Sequence, residues 1–301
     1  MSIAKLLDKL RETGIDLMGD APIVASISRD LKIVHSPSSG PRLFLRILDK
    51  EKAIRDFGTM QFLKQHLDVH ISTPERTIET DKLSCGIFLY IEHRKVSRLE
   101  LSTVNFIHQA REALLLLHDA GREASGCTRQ TNMPDALSTL QDKGLLSPRV
   151  QKYFTGTFKS ILDRHPEIPQ HSDFTHPNLG IDTAGQLLVF DCEDFGLARY
   201  AGFDAATFVL SQLYHLTGSD DEIRSPERLR LNVDDLLGTE VLEHIGISHD
   251  EFLSLFPGYL ATFLAIKQEG YGSKINQRLH SILNCIFESK SWSTQIGPPW
   301  Y

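Results

Sequence analysis

Residues 171–194 read HSDFTHPNLGIDTAGQLLVFDCED. Asp173 and Asn178 share one loop. Two short apolar runs follow, Gly180-Ile181 and Leu187 to Phe190, on either side of Ala184-Gly185, a pattern that predicts a β-hairpin. A hairpin there returns the chain at Asp191. Paired strands bring a carboxylate, an amide and a second carboxylate together, the set that phosphoryl transfer needs. Asp191 and the Asn178 side-chain oxygen are hard ligands suited to Mg²⁺. Asp173 would accept or orient the proton of an attacking hydroxyl. The same three residues also suit turn and strand-end capping. His171 and His176 beside Asp173 would suit a metallohydrolase, but no second histidine cluster accompanies them.

Upstream, Ile3, Leu6, Leu7 and Leu10 recur at helical spacing and predict a short amphipathic helix over 2–13. Three β-rich runs at 22–27, 31–35 and 42–48, separated by turn-like SRD and SPSSGP, predict an antiparallel meander. Residues 50–67 read as a helix and 87–91 as a further strand. Past Glu92 the spacing turns helical: 101–120 with Gly121 as a stop, 148–165, and most of the chain from 203 on. Ser248 with Glu251 forms a capping box.

The spacing His171-x-Asp173-x₄-Asn178, with Asp191 following, resembles the aminoglycoside phosphotransferase and choline kinase family. Three other segments carry the resemblance: FDCEDFG at 190–196, LLLLHDAG at 114–121, and more loosely Phe203-Asp204-Ala205-Ala206. It is strongest over 110–208 and fair over 40–95. The resemblance implies an α+β, bilobal protein-kinase-like fold with a small antiparallel-sheet N-lobe and a larger, mostly helical C-lobe. The boundaries would be 1–93 for the nucleotide-binding lobe and 94–301 for the helical lobe with the catalytic loops and the acceptor site, with nucleotide in the cleft between them. Carried over residue by residue, Asp173 is the catalytic base or hydroxyl positioner and His171 braces its loop. Asn178 and Asp191 hold Mg²⁺. Arg46 stands where the family's phosphate-binding lysine lies. Ile91 and Glu92 form the hinge, whose backbone bonds the nucleotide base. The turn after the first strand has no glycine, so Ser26 and Ser28 would donate to phosphate through their hydroxyls. Asp56 is the nearest acidic residue on the following helix, and Asp204 reads as a structural cap.

The 301 residues carry a net charge of −7, with 41% hydrophobic and 24% charged residues. The acidic balance argues against a nucleic-acid binder. The longest aliphatic run, Ala113 to Leu117, is far short of the roughly 20 residues a membrane span requires. Four scattered cysteines without a C-x-x-C pair suit a reducing, cytoplasmic setting. No Walker A pattern, dinucleotide fingerprint or G-x-S-x-G elbow occurs. The expected activity is ATP- and Mg²⁺-dependent transfer of a γ-phosphate to a hydroxyl of a small molecule, an aminoglycoside-like compound, amino alcohol or sugar, with GTP as an alternative donor. A non-catalytic, kinase-like binding protein is the alternative, motivated by Arg46 and the glycine-free turn.

Overall fold

The computed structural model describes residues 2–17, 23–27, 31–37, 40–67, 71–124, 135–217, 221–223, 225–267 and 273–296. Two compact bodies divide the chain: residues 1–94 with 180–193, and residues 95–179 with 194–301. The hairpin therefore groups with the N-terminal body, not with the helical lobe where the sequence placed it.

The first body is built on five antiparallel strands, β1 (Ile23–Ile27), β2 (Leu31–His35), β3 (Leu43–Asp49), β4 (Arg76–Glu79) and β5 (Leu83–Leu89), in the order β1-β2-β3-β5-β4. Their period of two sorts the side chains. Ile33, Leu45, Ile47, Cys85 and Ile87 pack with Leu6 and Leu10 of helix α1 (Ser2–Glu12). Each fully buried leucine there contributes roughly 1.5–3 kcal/mol. Arg46 alternates with Leu45 and Ile47, so it lies on the other face, where helix α2 (Lys50–Lys64) packs. Asp49 caps α2 by accepting the Lys52 amide at 2.8 Å. Gly86 is opposite Arg46 in the ladder, and a Cβ there would stand 2.6 Å from the Phe57 ring. Its missing side chain lets α2 approach the sheet closely at Arg46.

Two sequence expectations are corrected here. The strand expected at 87–91 starts at Leu83 and ends at Leu89, which leaves Ile91 and Glu92 outside it. The edge strand β4 has no counterpart in the sequence reading. Its sequence RTIE turns only Ile78 inward, so no apolar alternation marks it. A second small sheet, in the order β6-β7-β8, joins β6 (His93–Lys95) to the hairpin β7 (Leu179–Asp182) and β8 (Leu187–Val189). The hairpin turn holds Gly185 at φ +84°, and the Asp182 carboxylate accepts the Ala184 and Gln186 amides at 2.8 Å each.

The second body is helical: α3 (Val104–Ala124), α4 (Ala136–Asp142), α5 (Pro148–Tyr153), α6 (Lys159–Leu162), α7 (Phe203–Thr217), α8 (Pro226–Ile245), α9 (His249–Lys267), α10 (Ser273–Glu288) and α11 (Ser293–Ile296). The capping box stands as read: Glu251 Oε2 accepts the Ser248 amide at 3.0 Å, and Ser248 Oγ accepts the Glu251 amide at 3.3 Å. Gly121 does not stop α3, which runs on to Ala124. A Cβ at Gly121 would lie 2.2 Å from the Pro169 carbonyl oxygen, so glycine is needed for close approach. The helix expected over 148–165 is interrupted by a π-turn at Phe154–Phe158.

Helix α9 contains Pro257. The Tyr153 hydroxyl accepts the Gly258 amide at 3.0 Å and donates to the Ser254 carbonyl at 2.8 Å. It thus bridges the two groups that an uninterrupted helix would pair directly, the insertion that accompanies helix bending. No helix among the described residues is long and apolar enough to cross a membrane.

Candidate active site

In the second body, the segment 171–178 is held from below by Asp204, at the start of α7. Its carboxylate accepts the His171 amide at 2.6 Å and the Ser172 amide at 2.9 Å. Burial pushes the Asp204 carboxyl up to about 6, against the opposing pull of His171 and these two amides. Asp204 is the structural cap its sequence position suggested. Ser172 adopts φ +71°, unusual for a residue with a Cβ, and its hydroxyl ties Gln170 to Ala198.

The strained step at Ser172 aims Asp173. The Asp173 amide donates to His171 Nδ1 at 3.3 Å, which requires that nitrogen to be unprotonated. His171 is fully buried. The Thr175 hydroxyl donates to Asp173 Oδ1 at 3.1 Å. Asn178 closes a short 3₁₀ turn begun by His176 and Pro177, and its Nδ2 donates to the Asp173 carbonyl at 3.0 Å. That use of the amide end leaves Oδ1 as the atom with which Asn178 would ligate a metal.

A residue unmarked in the sequence completes this group. Lys267, the last residue of α9, lies 2.8 Å from Asp173 Oδ2 and 2.8 Å from Asp194 Oδ2. Its ammonium also stands over the Phe263 ring, 5.8 Å from the centroid. Burial disfavours its charge, but the two carboxylates outweigh burial and hold Lys267 above the ordinary lysine range. In sequence it reads as a charge ending an apolar helix, and nothing local marks its partners.

In the first body, Arg46 is buried and double-paired. Its guanidinium reaches Glu193 Oε2 at 2.5 Å and Asp56 Oδ2 at 3.4 Å. Glu193 also lies 3.3 Å from Lys52 Nζ. Burial raises the Asp56 carboxyl, with Arg46 and Arg55 pulling the other way. Asp191 follows the hairpin at its open end and adopts φ +60°, a left-handed conformation that aspartate tolerates better than most residues. The Ile91 carbonyl is 2.9 Å from His93 Nδ1, and the Glu92 side chain is exposed. Ser26 lies in β1 opposite Lys32, just past an irregularity in the ladder after Val24. The Ser26 side chain and all of Ser28 fall outside the described residues.

Asp173, His171 and Asn178 are thus brought into one hydrogen-bonded group in the second body. Arg46 and Asp191 belong to the first. Asn178 in the second body and Asp191 in the first each carry an oxygen donor of the kind Mg²⁺ takes. Among the described residues no group of three or more His, Cys, Asp or Glu could hold a metal ion by itself.

Solved structures match across most of the chain. An ethanolamine kinase of Plasmodium vivax has a TM-score of 0.58 at 12% identity, over 91% of this chain and 84% of that one. The chain has the fold of these small-molecule kinases. Amicoumacin kinase, solved in complex with AMP-PNP, Ca²⁺ and Ami, has a TM-score of 0.53 at 12% identity, over 93% of this chain and 90% of that one. A macrolide 2′-phosphotransferase from Brachybacterium faecium has a TM-score of 0.52 at 14% identity, over 93% and 98%. No protein-family model and no curated sequence matches the chain. The kinase-like architecture expected from the sequence, a small antiparallel sheet with a larger helical body, is the one these structures share.

Proposed function

We propose that the protein is a phosphotransferase that moves the γ-phosphate of ATP to a hydroxyl of a small molecule, with Mg²⁺. The observation that carries this reading is the group around Asp173, whose carboxylate is aimed by the strained Ser172 step and fixed by Thr175 and Lys267. Such fixing suits a residue that must orient a hydroxyl, because positioning supplies most of the catalysis in phosphoryl transfer. Asp173 accepts the proton of the acceptor hydroxyl as its oxygen bonds to the γ-phosphorus and the bridging bond to the β-phosphate breaks. His171 braces the loop from inside. Asn178 Oδ1 and the Asp191 carboxylate would be the ligands of Mg²⁺, as the family resemblance implies, and the metal would supply neutralisation of charge on the phosphates. Arg46 contacts phosphate, and the backbone at Ile91 and Glu92 binds the base, as the family resemblance implies. GTP is a second candidate donor.

Thermal unfolding with ATP or GTP, each with and without Mg²⁺, tests this directly. Ligand at a hundredfold over its dissociation constant adds about 2.7 kcal/mol of stability. A Mg²⁺-dependent rise in midpoint that disappears in Asp191→Ala is expected. Transfer itself must vanish in Asp173→Ala while the nucleotide response persists.

A second reading, a kinase-like protein that binds without catalysing, is favoured by one observation. The guanidinium meant for phosphate is already paired with Glu193 and Asp56. It predicts no midpoint change with any nucleotide.

A further inference from the structure

The Asp173 carboxylate is held at both oxygens, and the two holds come from different elements. On one side the Thr175 hydroxyl donates to Oδ1 at 3.1 Å. Thr175 is itself fixed: its amide donates to the Asp173 carbonyl at 2.8 Å, and its carbonyl accepts the Asn178 amide at 2.9 Å. On the other side the Lys267 ammonium lies 2.8 Å from Oδ2. Lys267 closes α9, where the helix dipole favours a cation, and Asp194 holds the same ammonium at 2.8 Å. All four residues belong to the second body.

Two holds do what one does not. The torsion that turns an aspartate carboxylate about its Cβ–Cγ bond is broad and not confined to staggered wells. A carboxylate held at one oxygen still swings. Held at both, its plane is set before any acceptor arrives. Lys267 and Asp173 are both buried. Replacing such a pair by apolar side chains is often neutral or stabilising, so stability alone gives no reason for a charge at the buried end of α9. Orientation does.

We infer that Lys267 and Thr175 are a positioning pair that sets the plane of the Asp173 carboxylate for the incoming hydroxyl. The assignment rests on the phosphotransferase reading of Asp173. Both residues act through Asp173, so their loss appears in turnover and not in nucleotide binding.

Mg²⁺-dependent hydrolysis of ATP by the full chain tests this, with water as the acceptor. The water oxygen bonds to the γ-phosphorus, the bond to the oxygen bridging to the β-phosphate breaks, one water proton passes to Asp173, and ADP and phosphate leave. Lys267→Met is expected to lower kcat about ten- to a hundredfold and Thr175→Val about three- to tenfold, with KM for ATP within about twofold of the parent. Lys267→Arg and Thr175→Ser keep the charge and the hydroxyl, and are expected to recover part of the loss. Because either loss frees the same torsion, the double variant should fall by less than the product of the two single effects. Thr175→Val nearly keeps the side-chain volume and carries the test should Lys267→Met not unfold cooperatively. Parent-like kcat in either folded single variant, while the parent hydrolyses ATP, defeats the positioning pair alone. A loss confined to KM overturns the pair too, as do single effects that multiply. A parent with neither Mg²⁺-dependent hydrolysis nor a nucleotide-dependent midpoint defeats the phosphotransferase reading, and the pair falls with it.

Discussion

Lys267 Nζ sits 2.8 Å from Asp173 Oδ2, joining the end of α9 to the loop that carries the proposed hydroxyl-orienting group. The same ammonium holds Asp194 at 2.8 Å, so one buried cation separates two carboxylates. Removing it leaves Asp173 buried beside a like charge. Lys267→Met is expected to lower stability on the order of 3 kcal/mol, with some screening at the part-exposed Asp194. Lys267→Arg should recover part of the loss. Urea unfolding measures both, and a Lys267→Met protein as stable as the parent would refute the role assigned to the pair.

Glu193 occupies the guanidinium that the nucleotide reading assigns to phosphate. Removing the Glu193 carboxylate from Arg46 should favour a phosphate competitor. Glu193→Gln is expected to tighten ATP binding about five- to tenfold, near 1 kcal/mol, in a calorimetric titration with Mg²⁺. Weaker binding would instead make Glu193 part of the metal's surroundings.

Two glycines give opposite expectations for the same substitution. Gly58 lies exposed inside α2, with nothing within 4 Å of the point an alanine Cβ would occupy. Gly58→Ala should add about 0.5–1 kcal/mol through helix propensity. Gly121 has the same propensity gain available, but its Cβ would strike the Pro169 carbonyl oxygen at 2.2 Å. Because that neighbour is backbone, Gly121→Ala should cost about 1–3 kcal/mol net. Melting of the two variants side by side decides.

His118, on α3, is 4% exposed and held from its usual value of 6.5 down to about 4, mainly by burial and then by His244. Between those values the unfolded chain binds a proton that the folded chain does not. Stability therefore falls as pH drops from 6.5 towards 4, by at most about 3 kcal/mol from this group. His118→Gln should flatten the acid limb of a stability-against-pH curve; an unchanged limb would mean other groups set it.

Much of the fold is legible in the sequence because its signals are local. Alternation at Leu43 to Leu48 places Arg46 on a strand, Ala184-Gly185 places the hairpin, and Ser248 with Glu251 places a helix start. The loop 171–178 is legible because its spacing is carried by contiguous residues. Strand β4 escapes because an edge strand with one inward side chain has no period to detect. Gly121 misleads because a glycine that ends a helix and a glycine that admits a neighbouring carbonyl look alike in one dimension. Lys267 and Glu193 are hidden for a related reason. Lys267 meets Asp194 across 73 residues of sequence, and Glu193 meets Arg46 across 147. No spacing rule reaches that far.

The Tyr153 hydroxyl set into α9 beside Pro257 has an evolutionary corollary. A chain that replaces Pro257 regains the direct bond between the Gly258 amide and the Ser254 carbonyl, and then has no use for a hydroxyl at 153. Conversely, Tyr153→Phe alone strands both groups, at about 1–3 kcal/mol. Descendants of this sequence should therefore lose the hydroxyl at position 153 only where Pro257 has already been replaced, although the two residues lie on different helices.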